Sequence, residues 1–175
     1  LGEGKLAGAR DNHIHYFLGE AYRLAGASEQ ATACFEKATL GTLEPTSPMY
    51  YNDQPPEMIF YQGMARRALG RVEEAEAIFR SLVAYGQDHM DDEIQMDYFA
   101  VSLPDFLVFD TDLQARNRIL CHFVIGLGFL GQGKLAEAQR EFDMVLAQQP
   151  DHVGAVVHRA WRESPNGRAS STIYA

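Results

Sequence analysis

The sequence predicts an all-α protein, an array of antiparallel helix pairs. Three observations carry this. Segments beginning at His15, Ile59 and His122 align without gaps. From Gly19, Gly63 and Gly126 the steps to the next glycine (Gly26, Gly70, Gly133), to an alanine (Ala31, Ala75, Ala138) and to a phenylalanine (Phe35, Phe79, Phe142) are identical. Hydrophobic residues make up 46% of the 175 and charged residues 22%, enough for a core and too apolar for disorder.

Taken in order, the first repeat spans 12–45. Gly19 falls mid-helix, where glycine costs about 1 kcal/mol relative to alanine, so a crossing helix should lie close against it. Ala31 is the small partner on that helix, and Phe35 fills the space a turn further on. Gly26 reads as a left-handed cap ending the first helix, and Ser28 as the N-cap of the second, 29–40. An insertion, 46–55, carries Tyr50 and Tyr51, which cover the end of the hairpin or line a groove. Pro55 and Pro56 open the second repeat, 56–89, since proline suits a first turn. Its second helix is expected over 73–85.

The larger insertion, 90–118, has Met90, Ile94, Tyr98 and Val101 at helical spacing, so a helix should open there and stop at Pro104. Phe106, Leu107 and Phe109 either plug the inner face of the array or, with Tyr98, form a lid over a ligand. The third repeat, 119–152, has its second helix at 135–148. Val153, Val156, Val157, Ala160 and Trp161 then form the stripe of a capping helix, about 151–163. Ser164-Pro165-Asn166-Gly167 stops it, and the rest should fray.

These repeats resemble the tetratricopeptide repeat, a helix–turn–helix unit of about 34 residues. Leu18-Gly19, Tyr22, Ala31, Phe35 and Ala38 follow the family pattern, whereas Gln62 and Arg66 depart from it in the second copy. The resemblance implies a right-handed superhelical array and peptide binding on the concave face. There the stripe would be His13, Tyr16, Glu20 and Arg23, then Glu57, Phe60, Met64 and Arg67, then Phe123, Leu127 and Leu130. Arg23 and Arg67 would pair with an acidic ligand or with Glu20 and Glu57. Glu20 and the apolar third repeat do not suit the Lys/Arg/Asn clamp of chaperone-tail binders. Alanine at Phe60 and Met64 should therefore weaken partner capture and leave the melting temperature nearly unchanged. The stretches 50–56 and 97–105 further resemble the C-terminal repeat region of large bacterial proteins that carry an uncharacterised, carbohydrate-associated domain. That implies either an interaction module or an accessory, oligomerising domain of a carbohydrate-active enzyme.

Little else carries chemistry. A net charge of −9 argues against nucleic acid and anionic membranes, and no apolar run is long enough to span a bilayer. No signal peptide is visible, and a chain starting at Leu1 reads as a cytoplasmic fragment of a longer polypeptide. Asp105, Asp110 and Asp112 superficially suit paired glycosidase carboxylates but read as solvated loop acids. Asp91-Asp92-Glu93 lacks a calcium-loop pattern and reads as acids near a helix start. His13 and His15 point to different helix faces, Cys34 and Cys121 read as buried thiols, and Gly126-x-Gly128-x-x-Gly131 has no strand before it. The expectation is no catalytic, cofactor or metal site, with a protein, a peptide, another domain of the parent chain or a second copy as partner.

Overall fold

The computed structural model describes residues 11–48, 53–94, 112–164 and 168–170. Among the described residues seven helices follow one another: α1 (Asn12–Leu24), α2 (Ser28–Ala38), α3 (Pro56–Ala68), α4 (Val72–Asp88), α5 (Leu113–Gly131), α6 (Leu135–Gln148) and α7 (Val153–Arg159). They form the hairpins α1–α2, α3–α4 and α5–α6, with α3 stacked on the first hairpin, α5 on the second, and α7 against α5 and α6. A short antiparallel ribbon pairs β1 (Arg162–Ser164) with β2 (Arg168–Ser170), so residues 168–170 form a strand where fraying is expected, and 171–175 lie outside the described residues.

Each hairpin turns the same way. Gly26, Gly70 and Gly133 have φ of +76°, +79° and +73°, a left-handed conformation that a side chain would strain. Around them Ala27, Arg71 and Lys134 donate backbone bonds of 2.9 Å to the carbonyls of Tyr22, Arg66 and Phe129, closing a Schellman turn. Ser28 is not the N-cap. It is the first helical residue of α2, whose N-cap position is Ala27 with no side-chain bond, because the backbone turn already orients the entering chain.

The mid-helix glycines face rings rather than alanines. A Cβ on Gly19, Gly63 or Gly126 would come within 2.6, 2.5 and 2.6 Å of Phe35, Phe79 and Phe142. On α5, a Cβ on Gly128 would come similarly close to Val83 and to the carbonyl of Phe79, and one on Gly131 would run into the Phe79 ring. The dinucleotide-like spacing therefore has a packing cause: Gly126 makes room for Phe142 of α6, while Gly128 and Gly131 let α4 press against α5. Gly131→Ala should destabilise the fold by about 1–3 kcal/mol. The Phe79 ring is fully buried, with the Arg67 guanidinium 4.8 Å above it, and cannot retreat. Chemical denaturation of the variant measures the loss.

The insertions differ from expectation. No helix opens at Met90: α4 ends at Asp88, and 91–94 continue as turn and irregular chain. Asp91-Asp92-Glu93 thus follow a helix end, where Asp92 pairs with His89 at 2.6 Å. Residues 113–118 belong to α5 because Asp112 caps it, accepting from the amides of Gln114 (2.9 Å) and Ala115 (3.1 Å). Tyr98, Phe106, Phe109, Asp105, Asp110, Tyr50 and Tyr51 lie outside the described residues. The expected capping helix is shorter than 151–163 and rotated: Val153 and Val156 are exposed, while Ala155, His158 and Trp161 are buried.

Candidate functional site

The first helices α1, α3 and α5 form one side of the array, here called the inner face. Spacing of three and four residues puts Tyr16, then Glu57, Phe60 and Met64, then Phe123 and Leu127 on it, and this is the stripe expected to meet a partner. Much of it is core: Tyr16, Phe60, Phe123, Leu127 and Leu130 are buried, and Met64 is half-buried against them.

The chain itself covers them. The imidazole of His158 stands edge-on to the Phe60 ring at 5.4 Å and near Phe123 at 5.9 Å. Trp161 lies 5.8 Å from Phe60, 6.4 Å from Tyr61 and 6.5 Å from Tyr16, crossing from α7 to α1. The two rings stack on each other 6.1 Å apart, 4° from parallel. His158 Nδ1–H donates to the Gly154 carbonyl at 2.7 Å, and its Nε2 is buried with no partner. Burial pushes its pKa down to about 4. Burial also raises the hydroxyl pKa of Tyr16 and Tyr61.

Both arginines expected on this stripe are already paired within the chain, Arg23 with the expected carboxylate and Arg67 with a different one. Arg23 pairs with Glu20 at 2.5 Å, and that hydrogen bond raises its already high pKa. Arg67 pairs with Glu76 at 2.8 Å, not with Glu57, and also donates to the Gly131 carbonyl at the end of α5, where a cation suits the helix dipole.

One part of the inner face stays open. A cleft of about 390 Å³ lies between the start of α3, the middle of α5 and the α6–α7 junction, lined among others by Glu57, Arg116, Ile119, Leu120, Phe123 and His152. Pro55 and Pro56 set Glu57 in the first turn of α3, where burial raises its carboxyl pKa. Arg116 donates to the Pro48 carbonyl at 3.3 Å. His152 caps α7 by accepting from the Ala155 amide at 3.0 Å, and burial lowers its pKa. Phe123 links the open and closed parts, 4.7 Å from His152. Of these residues the sequence pointed to Glu57 and Phe123 as partner-facing. Arg116, Ile119 and Leu120 carried a signal in the i, i+3, i+4, i+7 spacing ending at Phe123, but they were divided between an insertion and a repeat.

The other candidates are structural. His13 Nδ1 lies 3.3 Å from the Met58 sulfur. Cys34 and Cys121 are free and buried, and burial raises the Cys121 thiol to about 11. Among the described residues, no cluster of three His, Cys, Asp or Glu side chains is arranged to hold a metal, and no helix is long and apolar enough to cross a membrane.

Residues 57–85, the α3–α4 hairpin, match the family model of the tetratricopeptide repeat. No solved structure matches the chain. The match falls on the copy with two departures from the pattern, and both side chains have found local work. Gln62 is buried and donates to the Thr42 carbonyl at 3.0 Å. Arg66 pairs with Glu74 at 3.2 Å.

Proposed function

We propose that the chain is a non-catalytic interaction module that takes a protein segment on its inner face, in the cleft between α3, α5 and the start of α7. The observation that carries this reading is the occupancy of the neighbouring surface. His158 and Trp161 of the same chain lie across Tyr16, Phe60 and Phe123, so the inner face suits an inserted segment, and the cleft continues it. The wall of Ile119, Leu120 and Phe123 fits an apolar side chain. Glu57, desolvated and with its carboxyl pKa raised, fits a hydrogen-bond donor beside it. The preferred ligand is an extended segment with a basic residue next to an apolar one. The resemblance of 50–56 and 97–105 makes other domains of a large bacterial parent protein, cytoplasmic by expectation, the first source to test.

A peptide array read with the wild type, Glu57→Gln and Leu120→Asp checks this, with circular dichroism to establish that both variants fold. Leu120→Asp should weaken binding about tenfold or more, and Glu57→Gln should lose the preference for basic residues. Identical profiles for all three proteins would sink the assignment to the cleft.

A further inference from the structure

The second repeat places a polar side chain where the core closes around it. The residue just before the mid-helix glycine is Leu18 in α1, Gln62 in α3 and Ile125 in α5. Ile125 is buried, and Gln62 is buried completely. A buried amide costs stability unless its polar atoms are bonded, and only half of this one is. Its Nε2 donates to the Thr42 carbonyl at 3.0 Å, while Oε1 is buried with no partner among the described residues. A leucine would fill similar space without stranding an oxygen. What sets Gln62 apart is therefore the bond it makes.

That bond falls on a defined turn. Gly41 has φ of +122°, a conformation that residues with a side chain rarely adopt. The Thr42 hydroxyl accepts from the Glu44 amide at 3.2 Å. The Thr42 carbonyl accepts a second bond, from Gln54 Nε2 at 3.0 Å, and Gln54 Oε1 is likewise buried and unpartnered among the described residues. The Thr42–Gln54 bond joins the two described arms of the connection between α2 and α3, 41–48 and 53–55. Gln62 fastens the joined arms to α3, and Arg116 fastens the first arm to α5 through the Pro48 carbonyl at 3.3 Å. From these arms Pro48, Asp53 and Pro55 line the same cleft as Leu120 and Phe123.

We propose that Gln62 is a positioning residue of the cleft: through the Thr42 carbonyl it holds both arms of the connection in place as one wall of the ligand site. This rests on the reading of the cleft as that site. Gln62 itself does not line the cleft and acts through Pro48, Asp53 and Pro55. Without its amide the arms keep their bond to each other and lose their anchor on α3. A ligand then has to order the wall as it binds, which costs affinity.

Gln62→Leu separates positioning from support of the core. Amide hydrogen exchange of the free protein reads the wall directly: 42–48 should exchange about tenfold faster, while α3 and α4 keep wild-type rates. The melting temperature should stay level or rise, because the stranded amide oxygen is gone. The array peptide that the wild type binds most tightly should bind about threefold or more weakly, with helical circular dichroism unchanged. Gln54→Ala, at a half-buried position, should speed exchange over the same span with the fold intact. Wild-type exchange over 42–48 in both variants overturns the proposal. So does a lowered melting temperature for Gln62→Leu with faster exchange throughout the array, which would make Gln62 a support of the core. Faster exchange over 42–48 with undiminished binding of that peptide overturns the wall's part in the site. The exchange measurement needs no ligand, so it stands apart from the cleft reading, whose own failure shows as wild-type binding by Leu120→Asp.

Discussion

Phe60→Ala should lower the stability of the fold by about 3–5 kcal/mol, enough to unfold much of a protein of ordinary stability. The repeat pattern alone predicts a nearly unchanged melting temperature, with Phe60 facing a partner. The ring is instead fully buried, with Tyr61, Phe79, His158 and Trp161 at centroid distances of 5.3, 6.0, 5.4 and 5.8 Å. Removing it leaves a cavity where α3, α4 and the α7 end converge, and no single neighbour can collapse into it. The melting temperature should fall well below that of Met64→Ala, whose side chain is half-buried and leaves a smaller void. Urea denaturation of the two variants side by side gives the measurement. Comparable midpoints for Phe60→Ala and the wild type would mean that the C-terminal segment does not rest on this ring in solution.

The helix pairs were legible because their signal is local. A glycine, a second glycine seven residues later and a phenylalanine on the return helix are coupled through one hairpin, so their spacing survives in the sequence. What covers each apolar face was not legible, because that is decided between elements far apart in the chain. The end of the chain illustrates this. Val153, Val156 and Val157 make the better-looking stripe, yet α7 has only seven residues and too little surface to choose its own orientation. The rings of His158 and Trp161 outweigh valine methyls when they can join Tyr16, Phe60, Tyr61 and Phe123, so they set the rotation of α7. The same reasoning covers the candidate site. Glu57 and Phe123 announced themselves by register within their helices. The cleft also needs His152 and Arg116, whose roles depend on where α5 begins and where α7 crosses it. Asp112 held the first clue, since an N-cap there adds a turn and a half to α5, but an acid beside aromatics reads equally well as a loop residue.

Acidification should loosen the covered part of the inner face, with His158 as the responsible group. In the unfolded chain its ring takes a proton near the ordinary 6.5; in the folded chain burial holds the pKa at about 4. Between those values the unfolded state binds more protons, so stability is intact above 6.5 and declines as pH falls toward 4. The size of the shift corresponds to about 3 kcal/mol. The ionisable groups around the ring do not offset it: Tyr61, 5.7 Å away, keeps its proton throughout, and His152, its own pKa lowered by burial, disfavours a second charge. Glu57 acts in the opposite sense, since its raised carboxyl pKa means that the folded state takes up a proton before the unfolded one. Its contribution is therefore lost as pH rises, which opposes the His158 slope at the acid end of the profile. Trp161 is the one tryptophan in the sequence, so its fluorescence reports directly on the segment that His158 anchors. The emission should shift to the red as pH falls through this window, and the denaturation midpoint should drop with it. His158→Met fills similar space with a flexible apolar chain and no titrating group, so it should keep the neutral-pH emission and lose most of the pH slope. A variant with the wild-type slope would assign the acid response to other groups.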